Sequence, residues 1–138
     1  MRLCVLISFA SIVAGGLTSA AFAAESCANA SNQSAMNQCA DKAYRASDAK
    51  LNDLYRQIKA RLKDDKDTAK MLVSAQKAWV AYRDAECNFA SSGVAQGSMY
   101  PMTLAGCLDG VTQKRIASFK AYLHCQEGDP SCPVPAAD

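Results

Sequence analysis

The sequence predicts an all-α fold, a small antiparallel helical bundle of three main helices stapled by disulfides. Three observations carry this reading. Apolar residues recur at steps of three and four over three long stretches. The strict alternation of a half-buried strand appears nowhere. Six cysteines follow an export signal, a usage that suits a stapled exported domain. The 138 residues are half hydrophobic, which permits one core and leaves little room for two. Fifteen Lys and Arg against thirteen Asp and Glu give a formal charge of +2. That balance excludes a strongly basic nucleic-acid binder, and the apolar content excludes wholesale disorder.

The leader comes first. Met1 and Arg2 form a short positive region, Leu3 to Ala14 is almost unbroken apolar, and Ala21-Phe22-Ala23 places small residues where a signal peptidase reads. Residues 1–23 are therefore read as a signal peptide removed after Ala23, and residues 24–138 as a single domain. Gly15, Gly16, Thr18 and Ser19 interrupt the apolar run short of the ~20 residues a membrane span needs. The mature form is expected to carry no span. Cys27 follows Ala24-Glu25-Ser26, which lacks the apolar residue a lipoprotein signal places three positions ahead. The expected location is periplasmic or secreted. Cleavage removes Cys4 from the seven cysteines and leaves an even set: Cys27, Cys39, Cys87, Cys107, Cys125 and Cys132. An even set in an exported chain reads as three disulfides.

The first helix spans Met36 to Leu62, with Met36, Cys39, Ala43, Ala46, Leu51, Leu54, Tyr55, Ile58 and Leu62 on one face. Ser31, Asn32 or Ser34 serves as its cap. The run Lys63-Asp64-Asp65-Lys66-Asp67 loses apolar periodicity, and its aspartates suit the start of a second helix. No Gly or Pro marks the hinge, so the hairpin is inferred from compactness. The second helix runs from about Thr68 to Phe89, with Leu72, Ala75, Trp79, Tyr82, Glu86 and Phe89 as its inner stripe. Ser91 to Tyr100 holds two glycines and three serines and reads as a loop, with Pro101 in the first turn of the third helix. That helix extends to about His124 with Leu104, Leu108, Val111, Arg115, Phe119 and Tyr122 on one side. Gly106 and Gly110 lie inside it and are read as a site of close backbone approach. The tail from Gly128 to Pro133 reads as loop anchored by its cysteine alone.

Local bridges are favoured by position. Cys27 and Cys39 lie near the start of helix one, Cys87 and Cys107 flank the loop, and Cys125 and Cys132 bracket the tail. Six cysteines allow fifteen pairings, and Cys39 with Cys87 is a rival in an antiparallel hairpin.

Catalytic and metal chemistry finds little footing. His124-Cys125 resembles a nucleophile pair, yet export favours the oxidised sulfur. His124, Cys125 and Cys132 match no closed zinc site. Asp48, Asp84, Glu86 and Asp109 offer carboxylates with nothing to single out two of them. Basic residues are dispersed over all three helices, so no nucleic acid is expected. The chain is read as non-enzymatic, with no cofactor and no metal. The informative cluster is Gln76, Trp79, Arg83 and Glu86 or Cys87 at helical spacing, faced by Asp48 and Asn52 from helix one and by Arg115 from helix three. It reads as a structural network fixing helix register, with Arg83 and Arg115 paired to Asp48 or Glu86.

Gln76, Trp79, Tyr82-Arg83-Asp84 and Cys87, followed by Gly97-Ser98-Met99-Tyr100 and Cys107, resemble the LprI-like lysozyme-inhibitor N-terminal domain family, long described as a domain of unknown function. Cys27, Cys39, Asp48, Leu51-Asn52 and Tyr55 are similar to its first half, so the likeness covers about Cys27 to Leu123. The resemblance implies a helical exported protein, bridges Cys27–Cys39 and Cys87–Cys107, and a lysozyme-type muramidase as partner. Another envelope protein is the alternative partner. In the inhibitor reading, the contact segment is Ser92, Gly93, Gln96, Gly97, Ser98, Met99 and Tyr100, polar and held between Cys87 and Cys107, with Met99 and Tyr100 as anchors. A charge this close to neutral supplies no long-range steering toward a cationic lysozyme.

Overall fold

The computed structural model describes Cys27, residues 29–126 and residues 128–136. The expected signal peptide, residues 1–23, lies outside the described residues. Helix α1 spans Gln33–Arg61, and Asn32 caps it by accepting the Ala35 amide at 2.9 Å. Its last turn carries Lys59 and Arg61, cations that suit the negative end of the helix dipole. The hinge is a tight turn in which the Asp65 amide donates to Leu62 O at 3.1 Å. Asp65 then caps α2, Lys66–Ala90, by accepting the Thr68 amide at 3.0 Å. No described non-glycine residue has a positive φ, which is why this turn needs no glycine. A 3₁₀ turn, Ser92–Val94, leads through further turns into α3, Tyr100–Leu123, with Pro101 in its first turn.

Two bonds set the directions. Asn37 near the start of α1 donates to Ser98 O at 3.0 Å, and Arg61 at its end donates to Leu123 O at 2.7 Å. Helices α1 and α3 therefore run parallel, and α2 runs antiparallel to both. The core lies mainly between α1 and α3. Leu51, Leu54, Ile58 and Leu62 meet Ile116, Phe119 and Leu123, with Tyr55 and Phe119 rings 6.3 Å apart. Phe119 is fully buried, and burying one such side chain contributes ~1.5–3 kcal/mol. The three bridges are Cys27–Cys39, Cys87–Cys107 and Cys125–Cys132; Cys39 does not pair with Cys87.

Four expectations need correction. On α2, Arg83 and Cys87 are buried and Leu72, Gln76 and Trp79 half-buried, whereas Ala75, Tyr82, Glu86 and Phe89 are exposed. Steps of three and four trace two lines along this helix, and periodicity cannot choose between them. On α3, the buried positions are Ala105, Thr112, Ile116, Phe119 and Leu123, rotated by about one residue from the expected stripe. Gly106 and Gly110 consequently sit on the outward side, where an added Cβ meets nothing within 4 Å. They admit no other backbone. Finally, the tail is held by more than its cysteine: Val134 is 3% exposed within the core cluster.

Candidate functional site

The polar cluster forms where α1, α2 and α3 face one another. Arg83 reaches Asp84 with Nε at 2.9 Å and Asp48 with a terminal nitrogen at 3.2 Å. Asn52 donates to the other Asp48 oxygen at 3.0 Å. The Arg83 guanidinium lies 5.5 Å from the Tyr44 ring centre and 5.2 Å from that of Trp79. Burial opposes the Arg83 charge, yet the Asp84 hydrogen bond, the Tyr44 oxygen and the Asp48 contact outweigh it and hold its pKa above the ordinary value. Burial also pushes the Tyr44 hydroxyl pKa up, against the pull of Arg83.

Arg115 is placed differently. Its Nε donates to Gln76 Oε1 at 3.2 Å, and its guanidinium lies 5.8 Å from Trp79 and 4.6 Å from Phe119. Burial lowers its pKa. Trp79 thus has two guanidinium groups near its ring, contacts its π face favours. Glu86, expected among the partners, is exposed and stands outside the network. Its place as the second acid is taken by Asp84, the neighbour of Arg83 in sequence, which no helical-spacing argument would select.

The segment after α2 is a succession of turns. Ser91 is buried and donates to Cys87 O at 2.5 Å. The Gly97 amide donates to Val94 O at 2.8 Å, and the Tyr100 amide to Gly97 O at 3.1 Å. Asn37 ties Ser98 to α1, and the Tyr100 hydroxyl lies 3.4 Å from Asn88 Oδ1. Ser92, Gly93, Gln96, Gly97 and Ser98 are exposed, Tyr100 is half-buried, and Met99 is 47% exposed. Phe89, one turn before the loop, is 77% exposed. The sequence reading had placed that ring inward.

One grouping escaped the sequence reading altogether. Lys59 from the last turn of α1 and Lys63 from the hinge line a groove of about 640 Å³ with Lys66, Lys70 and Lys77 from α2, alongside Leu62, Ala69 and Val73. The lysines look dispersed along the chain because the hairpin contributes them from two helices and the turn between them. The only partner signal was their i, i+4 spacing on each side of the turn. At the far end of α3, His124 Nδ1 lies 2.6 Å from Lys120 O, and Cys125 is tied up with Cys132. Among the described residues, no group of three His, Cys, Asp or Glu side chains is placed to hold a metal ion.

Together these features define a disulfide-stapled helical scaffold in which side chains of the polar cluster meet across the helices. The chain belongs to the LprI lysozyme inhibitor family, whose pattern it matches over residues 23–119. It is also 39% identical over 112 residues to an uncharacterized protein of Rhizobium meliloti (strain 1021), covering 73% of this chain and 81% of that one. No solved structure matches it. Disulfides and family both point outside the cytoplasm, and no described helix is long and apolar enough to cross a membrane.

Proposed function

We propose that this chain is an exported, non-enzymatic binding protein of the periplasm or the secreted fraction that inhibits a lysozyme-type muramidase by protein–protein contact. Family membership carries the reading. The contact element is the segment Ser92 to Tyr100, with Met99 as the exposed apolar anchor. The Cys87–Cys107 bridge spans that segment, so little ordering entropy is lost when it enters a cleft. Residues 24–138 act as one domain in this reading, and the Asp48, Asn52, Gln76, Trp79, Arg83 and Arg115 network holds the helices that carry the loop.

Peptidoglycan lysis by several lysozyme types, measured with and without added protein, tests the proposal. Inhibition at micromolar concentration is expected for at least one type, and its absence for all types overturns it. One observation favours a second reading, an envelope module with a different partner. The five-lysine groove does not complement a cationic lysozyme surface. Pull-down from periplasmic extract separates the two readings, since only the first predicts a muramidase in the captured fraction.

A further inference from the structure

Helix α2 carries a second apolar line that the bundle leaves uncovered. Met71, Ala75, Ala78, Tyr82, Ala85 and Phe89 are all exposed, with Met71 at 68% and Tyr82 at 57%. Their spacing is four, three, four, three, four. That is the 3.5-residue repeat of a helix–helix seam, and none of the six positions is charged. The order is symmetric about Val80: Met71 mirrors Phe89, Ala75 mirrors Ala85, and Ala78 mirrors Tyr82.

From this we infer that α2 is the two-fold interface through which a second copy of this chain docks, antiparallel and centred on Val80. A two-fold contact demands a patch complementary to itself, and this order supplies it. The large side chains at each end meet, the alanines at 75 and 85 let the helices approach, and Tyr82 of one copy packs on Ala78 of the other. A parallel pairing would instead set Tyr82 against Tyr82 and Ala78 against Ala78, without that complementarity. Exposed rings and thioethers of this size, with the alanines between them, remove on the order of 500 Å² per copy from water, about 1,000 Å² in total, the lower edge of a specific interface. The dimer is therefore expected to be weak and concentration-dependent.

Sedimentation velocity on the disulfide-intact protein tests this, with far-UV circular dichroism as the check on folding. The wild-type chain should dimerise between tens and hundreds of micromolar. Ala78→Glu and Tyr82→Lys, both at exposed sites, should each weaken self-association at least tenfold without changing helicity. Because position 78 faces position 82 across the axis, an equimolar mixture of the two variants should dimerise again. A wild-type chain that stays monomeric at millimolar concentration overturns the inference. So do variants that dimerise like wild type, a mixture that shows no rescue, or a wild-type chain that partitions onto phospholipid vesicles through Tyr82 and Phe89.

Discussion

The guanidinium of Arg83 shows how one side chain joins separate helices: it meets Asp48 on α1 and its own neighbour Asp84, and stacks near Trp79 and Tyr44. Replacing it with Ala removes both the ion pairs and the packing of its stem. Arg83→Ala is expected to cost about 2–3 kcal/mol in denaturant unfolding, with the midpoint shifted and the slope unchanged. Asp65 works on a smaller scale. Hydrogen bonds from the Thr68 amide and hydroxyl hold its carboxyl below the ordinary value of 3.8. Its depressed pKa means the cap contributes fully above that value, and the contribution is lost as pH falls through the lower folded value. Acid titration followed by circular dichroism should show α2 fraying below about pH 4, a loss that Asp65→Asn should flatten because an amide still caps. The residues of this network were legible from their spacing. Asp84 in place of Glu86 was not, because a helix interior gives no reason to pair adjacent positions.

Among the elements, α1 was the most legible, since Leu51, Leu54, Ile58 and Leu62 form a single apolar line with charge on the other side. Helix α2 was the least legible. Its two apolar lines share the same periodicity, and only contact with α3 decides which one turns inward. On α3 the outward Gly106 and Gly110 meet nothing, so each carries the full helix cost of glycine without a packing return. Replacing both with Ala should stabilise the protein by about 1–2 kcal/mol, read as a higher thermal midpoint; a loss of stability would mean that the pair does touch something. The tail makes the opposite case. Val134 lies in a Pro-rich segment with no periodicity, so sequence had no means of assigning it to the core. Val134→Ala should cost about 1–3 kcal/mol, the range for deleting buried methyl groups, and should expose the Cys125–Cys132 bridge to faster reduction.

For the whole molecule, six of the seven cysteines form three bridges, and each bridge closes a loop near a helix end. The Cys87–Cys107 bridge spans the turn-rich segment, while the Asn37–Ser98 bond fixes it to α1. This arrangement lets a small bundle present Met99 without a large core beneath it. The family was legible in the Gln76 to Cys87 run and the Gly97-Ser98-Met99-Tyr100 run. The lysine groove was not, because it exists only after the hairpin closes. The most direct test of the loop's role is peptidoglycan lysis titrated with wild-type protein and with Met99→Asp side by side. Wild type should inhibit at micromolar concentration and Met99→Asp should require at least tenfold more protein, with its helicity unchanged. Equal inhibition by both would contradict the role given to the loop, and no inhibition by either would contradict the inhibitor assignment itself.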